Sequence, residues 1–343
     1  MAEQRFFDQL GPLTVQEIAA LSGAAISDSG HGVFEVTTVA PLDALRPGAL
    51  GYIENAKLLD AAQGQRMDGI VLLAPQSLAD GLNALGVVHL IHEAPRAGFA
   101  KAASALFRLR EHDGQAAIHA SAQVDPSASL APNVVIGQEA VISEDVIIGA
   151  NTVIGPGCRI GRGSRIGANA SLRCADIGET CNILSGAVIG EAGFGVAISK
   201  TGAIDVPHIG SVSLGDAVTI GANSTIDRGV FGATRIGDRV KVDNLSHIAH
   251  NCDVGEDTLM AAFAGISGST KIGARVVFGG RVGLADHITI GDDVTIGGGA
   301  AVMNSLTEPG IYAGAPAQPL RDHLREVAQI RRLVKPKTKR DKS

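Results

Sequence analysis

The chain has 343 residues, a formal net charge of −6 and 44 Gly, with only 3% aromatic residues and no Trp. A chain of this length forms two domains or one elongated domain. Its acidic balance gives no basis for a nucleic-acid partner, and no apolar run reaches the ~18 residues needed to span a bilayer. The first ten residues have no basic segment followed by an apolar one, so we expect no signal peptide and a cytoplasmic protein.

Residues 1–115 are predicted to form a small α/β domain. Thr14 and Glu17 have the spacing of a capping box, which predicts a short helix that ends near Gly23. Runs of β-branched and aliphatic residues predict four strands, and apolar residues at helical spacing predict a further helix. The predicted strands are Val36–Val39, Leu50–Ile53, Ile70–Leu73 and Val87–Ile91, and the predicted helix is Arg96–Arg110.

An aliphatic side chain recurs at every sixth position from Ile118 onward. Between Ile236 and Val302 there are twelve such positions without a slip, and Phe278 is the only aromatic residue among them. Because six is even, this residue and the one two before it point the same way on an extended strand. Each repeat is therefore one short strand and a turn, which predicts a parallel β-solenoid. The small inward position holds cysteine at Cys158, Cys181 and Cys252, which we expect to be reduced core residues.

The six-residue period is interrupted at three places. One residue is missing between Leu172 and Ile177, and extra residues occupy Gly190–His208 and Asp227–Arg235. Interruptions of a solenoid are surface loops and often lie on its binding face.

The C-terminal region is predicted to be a basic helix and tail, residues 316–343. Leu320, Leu324, Val327, Ile330 and Val334 form a helical stripe. Leu320–Ser343 carries nine Lys/Arg against three Asp/Glu, which favours an acidic partner. Since a solenoid's open ends need covering, we expect the N-terminal domain to cover one end and this helix the other. Residues 337–343 are predicted to be disordered.

A candidate active site follows from the repeat. Three hexapeptides form one coil of eighteen residues, so residues eighteen apart stack in a column, one strand spacing of ~4.8 Å apart. His250 and Gly268 share such a column, and His287 lies two coils from His250 and one residue over. A base, a backbone N–H that meets an oxyanion and a second polar group in one groove suit acyl transfer. Histidines also occur on solenoid surfaces by chance, and we favour that interpretation for His119 and His247.

The hexapeptides resemble those of the left-handed β-helix acyltransferases. Within that group the chain is similar over nearly its whole length to the UDP-3-O-acylglucosamine N-acyltransferase family of lipid A biosynthesis. The shared motifs are Ile118-His-Ala-Ser-Ala, Gly193-Phe-Gly, Thr225-Ile-Asp-Arg-Gly, Val242-Asp-Asn, Ile248-Ala-His-Asn and Glu308-Pro-Gly-Ile-Tyr. The resemblance implies a mainly β fold, with an N-terminal α/β uridine-binding domain (1–115), a left-handed parallel β-helix (116–315) and a C-terminal α-helix.

The same resemblance implies roles for individual residues. His250 would be the general base, supported by Asp243, and His287 would lie near the diphosphate of the nucleotide sugar. Tyr52 and Asn55 would hold uridine, whereas Leu58 stands where the family has a second aromatic residue.

The resemblance also implies substrates and partners. A 3-hydroxyacyl group would pass from acyl carrier protein to the 2-amine of the UDP-sugar in a homotrimer whose active sites lie between subunits. The phosphopantetheine thioester would be a co-substrate, and neither a metal nor a further cofactor is expected.

Three alternatives stay open. The chain could be another hexapeptide acyltransferase that acts on a nucleotide sugar, although the related O-acyltransferase has no uridine-binding N-terminal domain. It could be a solenoid carbonic anhydrase with His247, His250 and His287 as zinc ligands. It could also be a non-catalytic solenoid that only binds its ligand. The acyl chain length is not predicted, although the small residues of Gly297–Ala301 could leave room for a long chain.

Overall fold

A computed structural model describes residues 3–27, 34–62, 67–114, 116–200, 202–314 and 319–334. The predicted disordered tail, 337–343, lies outside the described residues. Within the described part no helix is long and apolar enough to cross a membrane.

The N-terminal region is an α/β unit, as predicted. Its strands are Phe7–Gln9 (β1), Leu13–Thr14 (β2), Ala25–Ile26 (β3), Glu35–Val36 (β4), Thr38–Val39 (β5), Ala49–Tyr52 (β6), Val71–Ala74 (β7), Val88–Ile91 (β8) and Phe107–Leu109 (β9). Its helices are Val15–Ser22 (α1), Ala56–Ala62 (α2), Ala79–Ala84 (α3) and Pro95–Leu106 (α4), with 3-10 turns at Leu42–Ala44 and Gln76–Leu78. The main sheet has the order β3-β8-β7-β6-β5, and only β3 runs antiparallel to its neighbour.

Two helix predictions in this region can be compared with the structure. The capping box is present, because Thr14 Oγ1 accepts from the Glu17 N–H at 3.2 Å and Glu17 accepts from the Thr14 N–H at 2.7 Å. The predicted helix 96–110 is too long. It ends at Leu106, because Phe107–Leu109 leaves the helix to pair antiparallel with β1.

The solenoid prediction is confirmed. Its first half contains Gln123–Val124 (β10), Ser129–Leu130 (β11), Val135–Ile136 (β12), Val141–Ile142 (β13), Ile147–Ile148 (β14), Val153–Ile154 (β15), Arg159–Ile160 (β16), Arg165–Ile166 (β17), Ser171–Leu172 (β18), Ala175–Ile177 (β19), Asn182–Ile183 (β20), Val188–Ala192 (β21), Val196–Ser199 (β22), Gly202–Asp205 (β23) and Ser211–Leu214 (β24). Its second half contains Thr219–Ile220 (β25), Thr225–Arg228 (β26), Ala233–Ile236 (β27), Lys241–Val242 (β28), His247–Ile248 (β29), Asp253–Val254 (β30), Leu259–Met260 (β31), Gly265–Ile266 (β32), Lys271–Ile272 (β33), Val277–Phe278 (β34), Gly283–Leu284 (β35), Thr289–Ile290 (β36), Val294–Ile296 (β37), Ala301–Val302 (β38) and Gly310–Tyr312 (β39).

All of these strands except β22 and β23 build three parallel faces, whereas β22 and β23 pair antiparallel with each other as a separate hairpin. Face 1 begins at β10 and face 3 at β12, and each has nine strands; face 2 begins at β11 and has ten. Ile248 pairs with Ile266, which is the expected spacing of one coil, and Ile160 pairs with Ile177, where the missing residue was predicted. The periodic aliphatic residues fill a continuous core, and the four cysteines are free and buried in it.

The N-terminal domain lies along the flank of the solenoid and does not cap its end as predicted. Arg5 donates to both oxygens of the Asp176 carboxylate, at 2.6 and 2.5 Å, and to the Gly157 carbonyl at 3.2 Å. Arg110 pairs with Glu139 at 3.0 Å. The domain is therefore fixed to coils well inside the solenoid, because its charged partners lie there.

The C-terminal helix, Leu320–Val334 (α5), is present as predicted, but none of its residues is buried. Its apolar stripe is open to solvent, with Leu324 57% and Ile330 59% exposed. The expectation that this helix covers the second end by packing on its own solenoid is therefore wrong, because its apolar face has no counterpart within this chain's described residues.

Candidate active site

A cavity of about 670 Å³ opens along the corner between face 3 and face 1. We call it the central groove. The side chains and backbone that line it come from α4, from the Gly190–His208 insertion and from three successive coils. The lining residues are Arg96, Phe194, Val196, His247, Ala249, His250, Gly265, Ile266, Ser267, Gly268, Gly283, Leu284, Asp286 and His287.

His250 and Gly268 stack in one column of this groove. A β-carbon at Gly268 would come within 2.7 Å of His250 Cε1 and 2.8 Å of its Nε2. Among the described residues no acceptor takes the Gly268 N–H, whereas the equivalent N–H of Ala274 donates to Asp292 Oδ1 at 2.9 Å. The imidazole and an uncommitted amide donor therefore lie side by side.

The hydrogen bonds of Asn251 determine which nitrogen of His250 carries the proton. Asn251 Oδ1 accepts from the Val230 N–H at 2.9 Å, and Asn251 Nδ2 donates to the Phe231 carbonyl at 2.6 Å, which fixes the amide orientation. His250 Nδ1 lies 3.2 Å from the same Oδ1. Because an oxygen acceptor requires a donor, Nδ1 carries the proton and Nε2, beside Gly268, has the free lone pair.

Burial lowers the pKa of His250 below its ordinary value of 6.5, and the hydrogen bond to Asn251 partly offsets this shift. The proximity of His287, and then of Arg96, lowers the pKa of His250 further. The neutral imidazole that a general base requires is therefore available at neutral pH.

A carboxylate–imidazole pair lies next to His250. His247 Nε2 is 3.6 Å from Asp227 Oδ2, and His247 Nδ1 is 2.7 Å from Thr225 Oγ1. Burial raises the pKa of Asp227 to about 6, and the proximity of His247 opposes this rise. His247 thus has specific partners in the groove. Its spacing in the sequence had instead suggested a chance surface histidine.

Asp243 lies at a different corner from His250 within this chain. Asp243 follows β28 on face 2, whereas His250 follows β29 on face 3. The Asp243 carboxylate is exposed and accepts from the Asn244 N–H at 2.7 Å. The structure therefore does not bring Asp243 and His250 of one chain together.

His287 stands one column from His250, as predicted. It occupies a turn position with φ 57°, the left-handed region in which His is more frequent than most residues. Its N–H donates to the Gly268 carbonyl at 3.1 Å, and its side chain lines the central groove. His250, Gly268 and His287 are thus brought together by three successive coils.

The predicted uridine residues lie at the end of β6. The half-buried ring of Tyr52 packs on Phe99 with centroids 5.1 Å apart, and burial raises its pKa. Asn55 Oδ1 accepts from the Leu58 N–H at 3.1 Å, which caps α2. Leu58 is partly buried in the N-terminal core and does not replace the second aromatic face.

Arg96, at the start of α4, was not singled out from the sequence. It acts electrostatically on both Tyr52 and His250 and lines the central groove. Its Nε is buried and has no hydrogen-bond partner within the described part of the chain. A cation therefore stands between the predicted uridine residues and the candidate base. The six-residue period does not indicate Arg96, because Arg96 belongs to the N-terminal domain.

Asn251 could have been found from the sequence, since it directly follows His250 in a shared motif.

The geometry does not favour the zinc alternative. Across the described ranges no three His, Cys, Asp or Glu side chains converge as metal ligands do.

Comparisons with known proteins identify several similar families and chains. The family described as "Bacterial transferase hexapeptide (six repeats)" matches residues 139–174, and "Hexapeptide repeat of succinyl-transferase" matches residues 211–244 and 269–303. Among solved structures, a UDP-N-acetylglucosamine O-acyltransferase from Moraxella catarrhalis RH4 is 28% identical, with a TM-score of 0.37 over 64% of this chain and 84% of that chain.

Full-length relatives are more informative. A UDP-3-O-acylglucosamine N-acyltransferase of Maricaulis maris (strain MCS10) is 55% identical over 100% of this chain and 99% of the relative. The enzyme of the same name from Caulobacter sp. (strain K31) is 46% identical over 97% of both chains. Identity of this extent over both whole lengths shows that the chain belongs to the UDP-3-O-acylglucosamine N-acyltransferase family.

Proposed function

We propose that the protein transfers a 3-hydroxyacyl group from acyl carrier protein to the 2-amine of UDP-3-O-(3-hydroxyacyl)glucosamine, as a step of lipid A biosynthesis. The observation that carries the proposal is the pairing of His250 Nε2 with the Gly268 backbone in the central groove. The names of the full-length relatives supply the substrate. The buried, free cysteines fit a reducing compartment such as the cytoplasm.

The chemistry follows from the tautomer of His250. The 2-amine attacks the thioester carbonyl carbon, and His250 Nε2 takes the proton that the amine loses. The Gly268 N–H donates to the oxyanion that forms on the carbonyl oxygen. As the tetrahedral intermediate collapses, the C–S bond breaks, and the imidazolium returns its proton to the phosphopantetheine thiolate. The product is an amide and a free thiol.

The nucleotide sugar would lie between two parts of the chain. Tyr52 and Asn55 would hold the uracil end, and Arg96 with His287 would face the diphosphate. A guanidinium is suited to phosphate oxygens because its donors are planar and its charge is permanent. This arrangement would bring the sugar beside His250.

A homotrimer would complete the site. Asp243 faces away from His250 of its own chain, so a supporting role for Asp243 requires a second subunit. The unpartnered apolar stripe of α5 also favours assembly, because large exposed apolar surface is unusual in a monomer. Light scattering of the purified protein should give the mass of three chains, and a stable monomer would contradict this part of the proposal.

The central test is an acyl-transfer assay with UDP-3-O-acylglucosamine and acyl carrier proteins of several acyl lengths. His250→Ala should lower kcat by ~10²–10⁴-fold, as for loss of a positioned general base, and leave UDP-sugar binding intact. His119→Ala, outside the groove, is the matched control. Wild-type protein that binds UDP-sugar without acyl transfer would favour the non-catalytic alternative.

A further inference from the structure

The insertion Gly190–His208 contacts the candidate base at both of its ends. His208 is buried, 3% exposed, and its ring centroid lies 5.1 Å from that of His250 at an interplanar angle of 73°. Gly193, near the start of the insertion, also lies against His250. A β-carbon at Gly193 would be 2.9 Å from His250 Cδ2. The insertion therefore contacts His250 at two positions, although the six-residue repeat does not require the insertion.

Gly193 and Gly195 of this segment leave no space for side chains. At Gly193 a β-carbon would also come within 3.0 Å of Asp227 Oδ2. At Gly195 it would come within 2.6 Å of His208 Cε1. The backbone thus runs directly along both imidazoles, which only a residue without a β-carbon permits at these positions.

His208 is held as an uncharged ring. Its Nδ1 lies 3.0 Å from the Val206 carbonyl and must donate to it, so Nε2 carries a lone pair. That Nε2 is buried and has no partner among the residues that the structure describes. Burial, and then the proximity of His250, lower the pKa of His208 to about 4. At neutral pH His208 therefore packs against His250 without adding a positive charge beside it.

We propose that Gly193 and His208 form a clamp that fixes the His250 ring beside Gly268 and keeps water from its inner face. His208 is then a positioning residue, which acts on the reaction only through His250. This inference rests on the proposed function of His250 as the base. Displacement of a general base by about 1 Å can lower the rate ~10²-fold. A clamp that holds the His250 ring in place therefore affects turnover through His250.

The charges around His250 come from several elements. Arg96 belongs to α4, His208 to the insertion and Asp227 to β26, and the coils contribute His247, Asp286 and His287. Of these groups, His208 contributes a buried neutral ring, so its main effect on His250 is to exclude water. Removing it should admit water and move the pKa of His250 upward, toward its ordinary value.

The test compares His208→Ala and His208→Phe with Ile198→Ala, a control on the exposed hairpin of the same insertion. His208→Ala should lower kcat by ~10-fold or more, with the KM for UDP-sugar within about twofold of wild type. The acidic limb of the kcat–pH profile should move up by about half a pH unit. His208→Phe restores a neutral ring and should recover part of kcat.

A second pair of variants tests the Gly193 contact of the clamp. Gly193→Ala should lower kcat in the same way, whereas Gly280→Ala, whose β-carbon would meet only the Ala262 carbonyl at 3.5 Å, should not. An unchanged kcat and pH profile in folded, trimeric His208→Ala would overturn the clamp. Equal losses of kcat, nucleotide binding and thermal stability would do so as well, since they indicate a merely structural residue.

The titration of the His250 Cε1 proton by NMR separates this inference from the proposed function. Its pKa should rise in His208→Ala even if the wild-type protein fails to transfer acyl groups. A pKa that does not change between wild type and His208→Ala would contradict the clamp whatever the activity assay gives.

Discussion

The His250 imidazole lies so close to Gly268 that a single methyl group would displace it. A β-carbon at Gly268 would lie 2.8 Å from Nε2, well inside contact distance. Gly268→Ala should therefore push the ring out of line with the amide donor and lower kcat by ~10²-fold. Steady-state kinetics would measure this, with Gly280→Ala as the control at a turn position where a β-carbon has room. Full activity of Gly268→Ala would show that the two groups do not act together.

The pH dependence of turnover should report the buried state of His250. Because burial lowers its pKa, the neutral base is the major form above that pKa and is lost as the pH falls through it. The acidic limb of kcat should therefore lie below pH 6.5, the ordinary value for His. A profile of kcat between pH 4 and 9 would measure it. A limb clearly above 6.5 would contradict the burial argument.

Asn251 is expected to control the tautomer of His250. Asn251→Leu removes the acceptor for Nδ1–H, so the proton is free to move to Nε2 and abolish the base. It also leaves the Val230 N–H without its partner. The expected loss of kcat is ~10-fold or more, with little change in the KM for UDP-sugar. Asn251→Asp keeps an oxygen acceptor and should retain more activity than Asn251→Leu; the reverse order would argue against tautomer control.

Much of the solenoid could be predicted because one side-chain position repeats along it. The missing residue after Leu172 shortens one coil, and the strands pair Ile160 with Ile177 as that shortening requires. The same arithmetic placed His250, Gly268 and His287 in one groove. The repeat determines which residues stack on one another, because each coil contacts only its neighbouring coils.

The parts that the sequence did not reveal depend on contacts between distant segments. Nothing periodic indicates that the insertion returns to His250, or that Asp227 pairs with His247. The position of Phe107 in a strand depends on its antiparallel partner β1, which tertiary pairing supplies and local propensity does not. Asp243 is a different case: because six residues make one face of the coil, a separation of seven already places Asp243 and His250 on successive faces, and their association came from the family resemblance alone.

Arg96 should contribute to binding of the diphosphate. Arg96→Met should weaken binding of UDP by ~10-fold, in the range for one charged contact, but weaken binding of uridine only slightly. Calorimetry with uridine, UMP and UDP would measure the series, with Arg108→Met, a 68% exposed arginine side chain paired with Asp8, as the control. An equal loss for all three ligands would place Arg96 near the nucleoside instead.

The exposed helix α5 should serve the acyl carrier protein and not the fold. None of its residues is buried, so truncation after Gln318 removes little packing within the chain and, in protein that stays trimeric, should leave UDP-sugar binding unchanged. Its last turn carries Arg331 and Arg332, which should attract an acidic carrier protein.

The truncation should therefore raise the KM for acyl carrier protein several-fold, and Arg331→Glu with Arg332→Glu should do the same with the helix intact. Because exposed charges are screened within ~8 Å at physiological ionic strength, added salt should raise the wild-type KM toward that of the charge variants. Kinetics at two salt concentrations would measure both effects, and light scattering would separate them from loss of the trimer. A salt-independent KM, unchanged in trimeric charge variants, would show that carrier protein docks elsewhere.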